Sequence, residues 1–176
     1  SSGAYKGYSS GSGKWYIPLA AHLGLGASGT VNSQIIIQNV SGVNADFSVE
    51  LVSLNGTLAY TKNVTGLGPN AMYHYDLADE ANLPSNWFGS AVVSTTSGTL
   101  AVVSNIFIGS HALQTINAFP NEQLSDSWTI ASFFSKLTNG LNSVVTVQNL
   151  SGVTIPTGEI TLTCVKDPNS PLPDSF

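Results

Sequence analysis

The run Asp46-Phe47-Ser48-Val49-Glu50-Leu51-Val52-Ser53-Leu54-Asn55-Gly56-Thr57-Leu58-Ala59-Tyr60-Thr61-Lys62-Asn63-Val64 decides the fold. Phe47, Val49 and Leu51 recur with period two, which puts them on one face of a strand. Asn55-Gly56 between two such runs is a hairpin signal, because both residues tolerate positive φ. Two antiparallel strands are therefore expected at 46–54 and 57–64.

The same grammar extends outward in both directions. Short apolar runs alternate with turn residues every ~8–12 positions, the pattern of an all-β domain. Further strands are predicted at 15–23, 33–40, 71–77, 88–95 and 100–108. Within 33–40, Ile35 and Ile37 point inward and Gln34 and Gln38 outward. Within 71–77, Tyr73, Tyr75 and Leu77 alternate against Met72, His74 and Asp76. Ser97-Gly98 turns one strand into the next. No segment sustains a 3.6-residue period, and 76–82 offers one helical turn at most. The predicted fold is an immunoglobulin-like antiparallel β-sandwich.

The chain then repeats itself. Asn32-Ser33-Gln34-Ile35-Ile36-Ile37-Gln38-Asn39-Val40-Ser41-Gly42-Val43 recurs 110 residues later as Asn142-Ser143-Val144-Val145-Thr146-Val147-Gln148-Asn149-Leu150-Ser151-Gly152-Val153, with seven of twelve positions identical. Trp15 and Ile17 correspond to Trp128 and Ile130, and Val49 and Leu51 to Ile160 and Leu162. A repeat of this length is a domain, not a solenoid unit. The expected organisation is a flexible Gly/Ser-rich lead-in at 1–13, a first sandwich at 14–110, a linker at 111–126 and a partial second sandwich at 127–176. The second copy carries counterparts of the first strands, at 127–137, 143–150 and 158–165, before Pro168, Pro171 and Pro173.

Composition narrows the function. The 176 residues hold 5 cations and 10 acids, a net charge of −5, with charged residues only 9% of the chain. An average soluble domain has roughly 25%. All five cations are Lys. Phosphate capture runs on Lys and Arg density, so nucleic acid is not an expected partner. Polarity comes instead from 24 Ser, 15 Thr and 15 Asn, which inclines the reading toward an extracellular or cell-surface protein. Cys164 is the only cysteine, which excludes an intrachain disulfide framework. No apolar run reaches the ~18 residues of a membrane span. The sequence opens on Ser1, so it says nothing about a secretory leader.

Several motifs resemble a known family. Tyr16-Ile17-Pro18-Leu19, the Asn-Ser strand ending in Gln-Asn, Asn55-Gly56, Leu83-Pro84, Phe88-Gly89-Ser90-Ala91-Val92-Val93-Ser94 and Leu100-Ala101-Val102-Val103-Ser104-Asn105 follow in order. The chain resembles the tandem β-sandwich repeats of large secreted or cell-surface proteins of filamentous green non-sulfur bacteria. The resemblance implies a structural or adhesive role and carries over no catalytic residue.

Candidate chemistry is sparse. Gly24-Leu25-Gly26-Ala27-Ser28-Gly29 matches G-x-G-x-x-G, but a strand rather than a helix is predicted after it, which leaves a glycine-rich loop. His22, His74 and His111 have no partner histidine at ligand spacing. Asp76, Asp79 and Glu80 supply oxygens of the kind calcium prefers, without a full loop motif. No nucleophile elbow is present, and Cys164 shares the phase of Ile160 and Leu162, which suits a small buried hydrophobe. Four N-x-S/T sequons start at Asn39, Asn55, Asn63 and Asn149, against the roughly three that chance gives. Trp15, Tyr73, Tyr75, Trp87 and Trp128 are the aromatics a sugar-binding face would use, with Trp15 and Trp128 better suited to packing.

No catalytic residue, cofactor or metal ligand is assigned, and no enzymatic activity is expected. The expected function is an extracellular structural subunit of a filament, sheath or layer, self-assembling as a homo-oligomer by strand addition. The self-association candidates are Trp128, Ile130, Val145, Val147, Ile160 and Leu162. The alternative is a carbohydrate-binding or adhesion module with a polysaccharide partner.

Overall fold

The computed structural model describes residues 8–26, 29–109, 112–130, 143–163 and 165. His111, Cys164 and residues 131–142 lie outside the described residues. Contacts divide the chain into two units, residues 1–146 and 147–176.

The first unit is all-β, with two antiparallel sheets. Its strands are β1 (Lys14–His22), β2 (Gly24–Gly26), β3 (Gly29–Asn39), β4 (Ala45–Ser53), β5 (Leu58–Leu67), β6 (Met72–Asp76), β7 (Trp87–Thr95), β8 (Leu100–Ile108), β9 (Ala112–Asn117) and β10 (Phe119–Pro120). One sheet runs β10-β1-β7-β4-β5; the other runs β2-β3-β8-β9, with β6 also on β3. The helical turn expected after β6 is a 3-10 turn at Leu77–Asp79, capped by the Asp76 carboxylate accepting from the Ala78 N–H.

Period-two burial explains why the sheets close on each other. Phe47, Val49 and Leu51 of β4, Ile35 and Ile37 of β3, and Leu100 and Val102 of β8 form one core with Trp15, Ile17 and Val93. Trp15 is fully buried, and its indole N–H is shared between the Ser12 and Leu100 carbonyls at 3.2 and 2.9 Å.

The β4–β5 hairpin forms where Asn55-Gly56 predicts it, by a different turn. Only Gly56 takes positive φ (+84°). The Gly56 N–H donates to Ser53 O, and the register shifts between Leu51 and Val52. This is a type I turn closed by a left-handed glycine with a bulge, not the mirror-image turn with two positive φ values.

The sandwich extends past both ends of 14–110. Tyr8 stacks edge-on against Trp15 at 4.6 Å, and its hydroxyl donates to the Val102 and Ala118 carbonyls. Ser12 exchanges backbone hydrogen bonds with Leu100. β9 pairs with β8, and β10 with β1. Parts of the lead-in expected at 1–13 and of the linker expected at 111–126 are therefore tied into the sandwich. Edge segments are held by main-chain pairing and carry little apolar signature.

In the second copy, the strands expected at 143–150 and 158–165 do not form among the described residues; 143–163 and 165 are irregular. A strand needs a ladder partner to persist in water, and no described strand is one for these residues. Their turn nonetheless keeps the geometry of the first copy, as described below.

Candidate functional site

Ionisable side chains gather between β5 and β6, on the open side of the sandwich. Lys62, Tyr73, His74, Tyr75, Asp76, Asp79 and Glu80 line an open concavity of about 290 Å³. Its floor is fixed by hydrogen bonds. The Tyr75 hydroxyl donates to Glu80 Oε2 at 2.8 Å, and Asn82 donates to Glu80 Oε1 through Nδ2 at 2.6 Å and through its backbone N–H. Gln34 Nε2 donates to Asp76 Oδ2 at 2.6 Å. The Lys62 ammonium stands 5.8 Å from the Tyr75 ring centroid.

Electrostatics follow from that arrangement. Glu80 is buried, which by itself raises a carboxyl pKa. The hydrogen bonds from Tyr75 and Asn82 and the attraction of Lys62 outweigh burial and hold it below its ordinary value. Tyr75 is pushed up by burial, then by its hydrogen bond to Glu80 and the adjacent negative charge.

The three acids singled out in the sequence are thus brought to one place, yet Asp76 and Glu80 have turned their oxygens to protein donors. Among the described residues, no three His, Cys, Asp or Glu converge as metal ligands. His22 is buried, with Nδ1 3.0 Å from the Pro84 carbonyl, and His74 is exposed. The residue that sequence reasoning missed is Lys62. Its signal is phase: it sits between Tyr60 and Val64 at an inward position.

The glycine-rich motif links β2 to β3. A Cβ on Gly24 would stand 2.3 Å from the Phe88 ring, so strand packing accounts for this glycine. Of the sugar-binding candidates, Trp15, Trp87 and Tyr75 are core residues, and Trp87 donates to Ser53 Oγ. That leaves half-buried Tyr73 and exposed Trp128.

The self-association candidates lie on the surface. Trp128 is 57% exposed, with Ile130, Val147, Ile160 and Leu162 similarly open and Val145 half-buried. Trp128 also meets Phe119 edge-on at 5.0 Å.

Two local structures of the first copy recur in the second. Trp15 Nε1 donates to Ser12 O three residues back; Trp128 Nε1 donates to Ser125 O at 3.0 Å. Asn39 Nδ2 donates to Val43 O at 2.7 Å, and its Oδ1 accepts from Ser41 N–H and Oγ–H. Asn149 repeats this with Val153 and Ser151, again at 2.7 Å to the carbonyl.

No family model and no curated protein matches the chain. Two solved structures resemble part of the chain. The crystal structure of Thermotoga maritima 1070 superposes with a TM-score of 0.51 at 15% identity, over 64% of this chain and 97% of that one. The Anabaena sensory rhodopsin transducer superposes with a TM-score of 0.43 at 14% identity, over 55% and 95%. The likeness to the Thermotoga protein is one of fold alone. Among the described residues no helix is long and apolar enough to cross a membrane.

Proposed function

We propose that the chain is a structural module of an extracellular filament, sheath or layer, built from tandem β-sandwich repeats and assembling through self-contacts. The observation that carries this reading is the recurrence of the Trp15 and Asn39 hydrogen-bond patterns at Trp128 and Asn149. A motif reiterated along one chain in sequence and local geometry suits a building element better than a single-site enzyme. The motif resemblance to bacterial cell-surface repeats and the Ser/Thr/Asn-rich, charge-poor composition support the same location. The apolar side chains left open at 128, 147, 160 and 162 are of the kind that association covers.

Electron microscopy and sedimentation of the purified chain test this. Ordered oligomers or filaments that grow with concentration are expected. A strict monomer at all concentrations would overturn it.

A carbohydrate-binding or adhesion role is the second reading. It is favoured by the β5–β6 concavity, where the Tyr73 ring stands beside the polar groups of Lys62, His74 and Asp79. Titration with polysaccharide fragments separates the two: binding lost in Tyr73→Ala would support adhesion.

A further inference from the structure

Among the described residues β5 is the last strand of its sheet, and its outer edge offers backbone groups as a template for another chain. It is ten residues long and contains no proline. Its register with β4 pairs Leu51 with Tyr60, Val49 with Lys62 and Phe47 with Val64. Residues directly opposed in a ladder share a face. Phe47, Val49 and Leu51 are buried, so Tyr60, Lys62 and Val64 stand on the inner face. Tyr60 and Val64 pack against the core. Between them, where an apolar side chain would complete the face, stands an ammonium reaching over the Tyr75 ring toward buried Glu80.

Both ends of the hairpin ladder are irregular, with register shifts at Ala45/Phe47 and Leu51/Val52. Bulges of this kind turn an edge away from a partner. The regular stretch between them, Tyr60 to Val64, has Lys62 at its centre. Consider a second copy meeting β5 antiparallel about a two-fold axis normal to the sheet. Inner-face positions then meet inner-face positions. In the register that overlays the two regular stretches, Tyr60 faces the second copy's Val64, and Lys62 faces the second copy's Lys62. Pairing would bury two like charges opposite each other, which opposes association.

We propose that Lys62 is the residue that keeps the β5 edge closed to a second copy of this chain, so that self-contacts run through other surfaces. Its partners, Tyr75 and Glu80, hold the charge at the inner face. This goes beyond the assembly reading and does not depend on it. A chain that never assembles would still have its edge opened by removal of the charge.

The test compares the wild type with Lys62→Val, Lys62→Gln and Lys62→Arg by sedimentation and by amide hydrogen exchange across residues 58–67. Near-UV circular dichroism establishes that each variant is folded, and the neutral, similar-sized glutamine serves if valine misfolds. The wild type and Lys62→Arg are expected to keep fast exchange, at every concentration and whatever their assembly state, at the β5 amides that point away from β4. Lys62→Val and Lys62→Gln should associate with a dimer dissociation constant at least about tenfold lower, with slowed exchange in 58–67. A folded neutral variant that sediments like the wild type would overturn the proposal. So would protection of those outward-pointing amides in the wild-type assembly, or association of the variants without it. Absence of wild-type assembly would instead count against the proposed function alone.

Discussion

Residues 12–43 and 125–153 carry the same local structures, and among the described residues only the first set is part of a sheet. Around Trp15, the indole N–H reaches Ser12 and then Leu100, on β8. Around Trp128 it reaches Ser125. Asn39 is fully buried and spends its amide on Val43 and on Leu67, at the end of β5. Asn149 is exposed, and its hydrogen bonds among the described residues lie within 149–153. The tryptophan hook and the asparagine clip are therefore written into four or five consecutive residues. Burial and the strand ladder come from later strands that supply the second acceptors. Local geometry is inherited with the motif, and the sheet is not.

The sharpest way to break this comparison is to cut the same side chain from each copy. Trp15→Ala should cost about 4 kcal/mol in urea unfolding, because it empties a fully buried site and orphans a hydrogen-bond pair. Trp128→Ala should stay within about 0.5 kcal/mol. Equal effects would mean that Trp128 is packed in a second core.

The clip gives a smaller contrast. Asn39→Ala leaves the Leu67 carbonyl and the Ser41 N–H without their partner, and about 3 kcal/mol should be lost. Asn149→Ala should be neutral. Burial and the same bonds close off the Asn39 amide nitrogen, so mass spectrometry of glycosylated material should find this sequon empty, with Asn55, Asn63 and Asn149 the exposed ones.

Titration sharpens the contrast from inside the first copy. Glu80 lies below its ordinary value of 4.5, so its contribution is complete above that pH and drains away as pH falls through the folded value. Tyr75 lies above its ordinary value of 10.0, so its contribution is complete below that pH and fades as alkalinity rises. Glu80→Gln should cost about 1 kcal/mol at neutral pH and flatten the acid limb of stability against pH. An unchanged acid limb would remove Glu80 from the explanation. Smallest of all should be the effect of salt. With 9% charged residues, raising ionic strength at constant pH should leave any assembly intact by sedimentation.

Much of the sandwich was legible in the sequence. The alternations at Phe47, Val49 and Leu51, at Ile35 and Ile37, and at Tyr73 and Tyr75 put those residues where the structure has them. β9 and β10 were not, because edge strands held by main-chain bonds need no apolar pattern. Asn39 read as a sequon and a shared turn; its role as a buried clip depends on Leu67, 28 residues away, which no local pattern encodes. The β5–β6 cluster was half legible. Asp76, Asp79 and Glu80 are neighbours in the chain, whereas Lys62 joins them only because β5 and β6 lie beside one concavity of the sandwich. The strands expected at 143–150 and 158–165 misled for the converse reason: alternation states a preference, and a ladder needs a partner.

Amide hydrogen exchange on the intact chain, at low and high concentration, tests the proposed assembly of tandem repeats most directly. Exchange in 33–39 should be slow throughout, since β3 lies between β8 and β6. Exchange in 143–150 should be fast in the dilute chain and should slow as assembly proceeds, when a partner strand arrives. Fast exchange at 143–150 in fully assembled material would contradict the claim that this repeat is completed by self-contacts. Slow exchange there in a dilute monomer would contradict it equally.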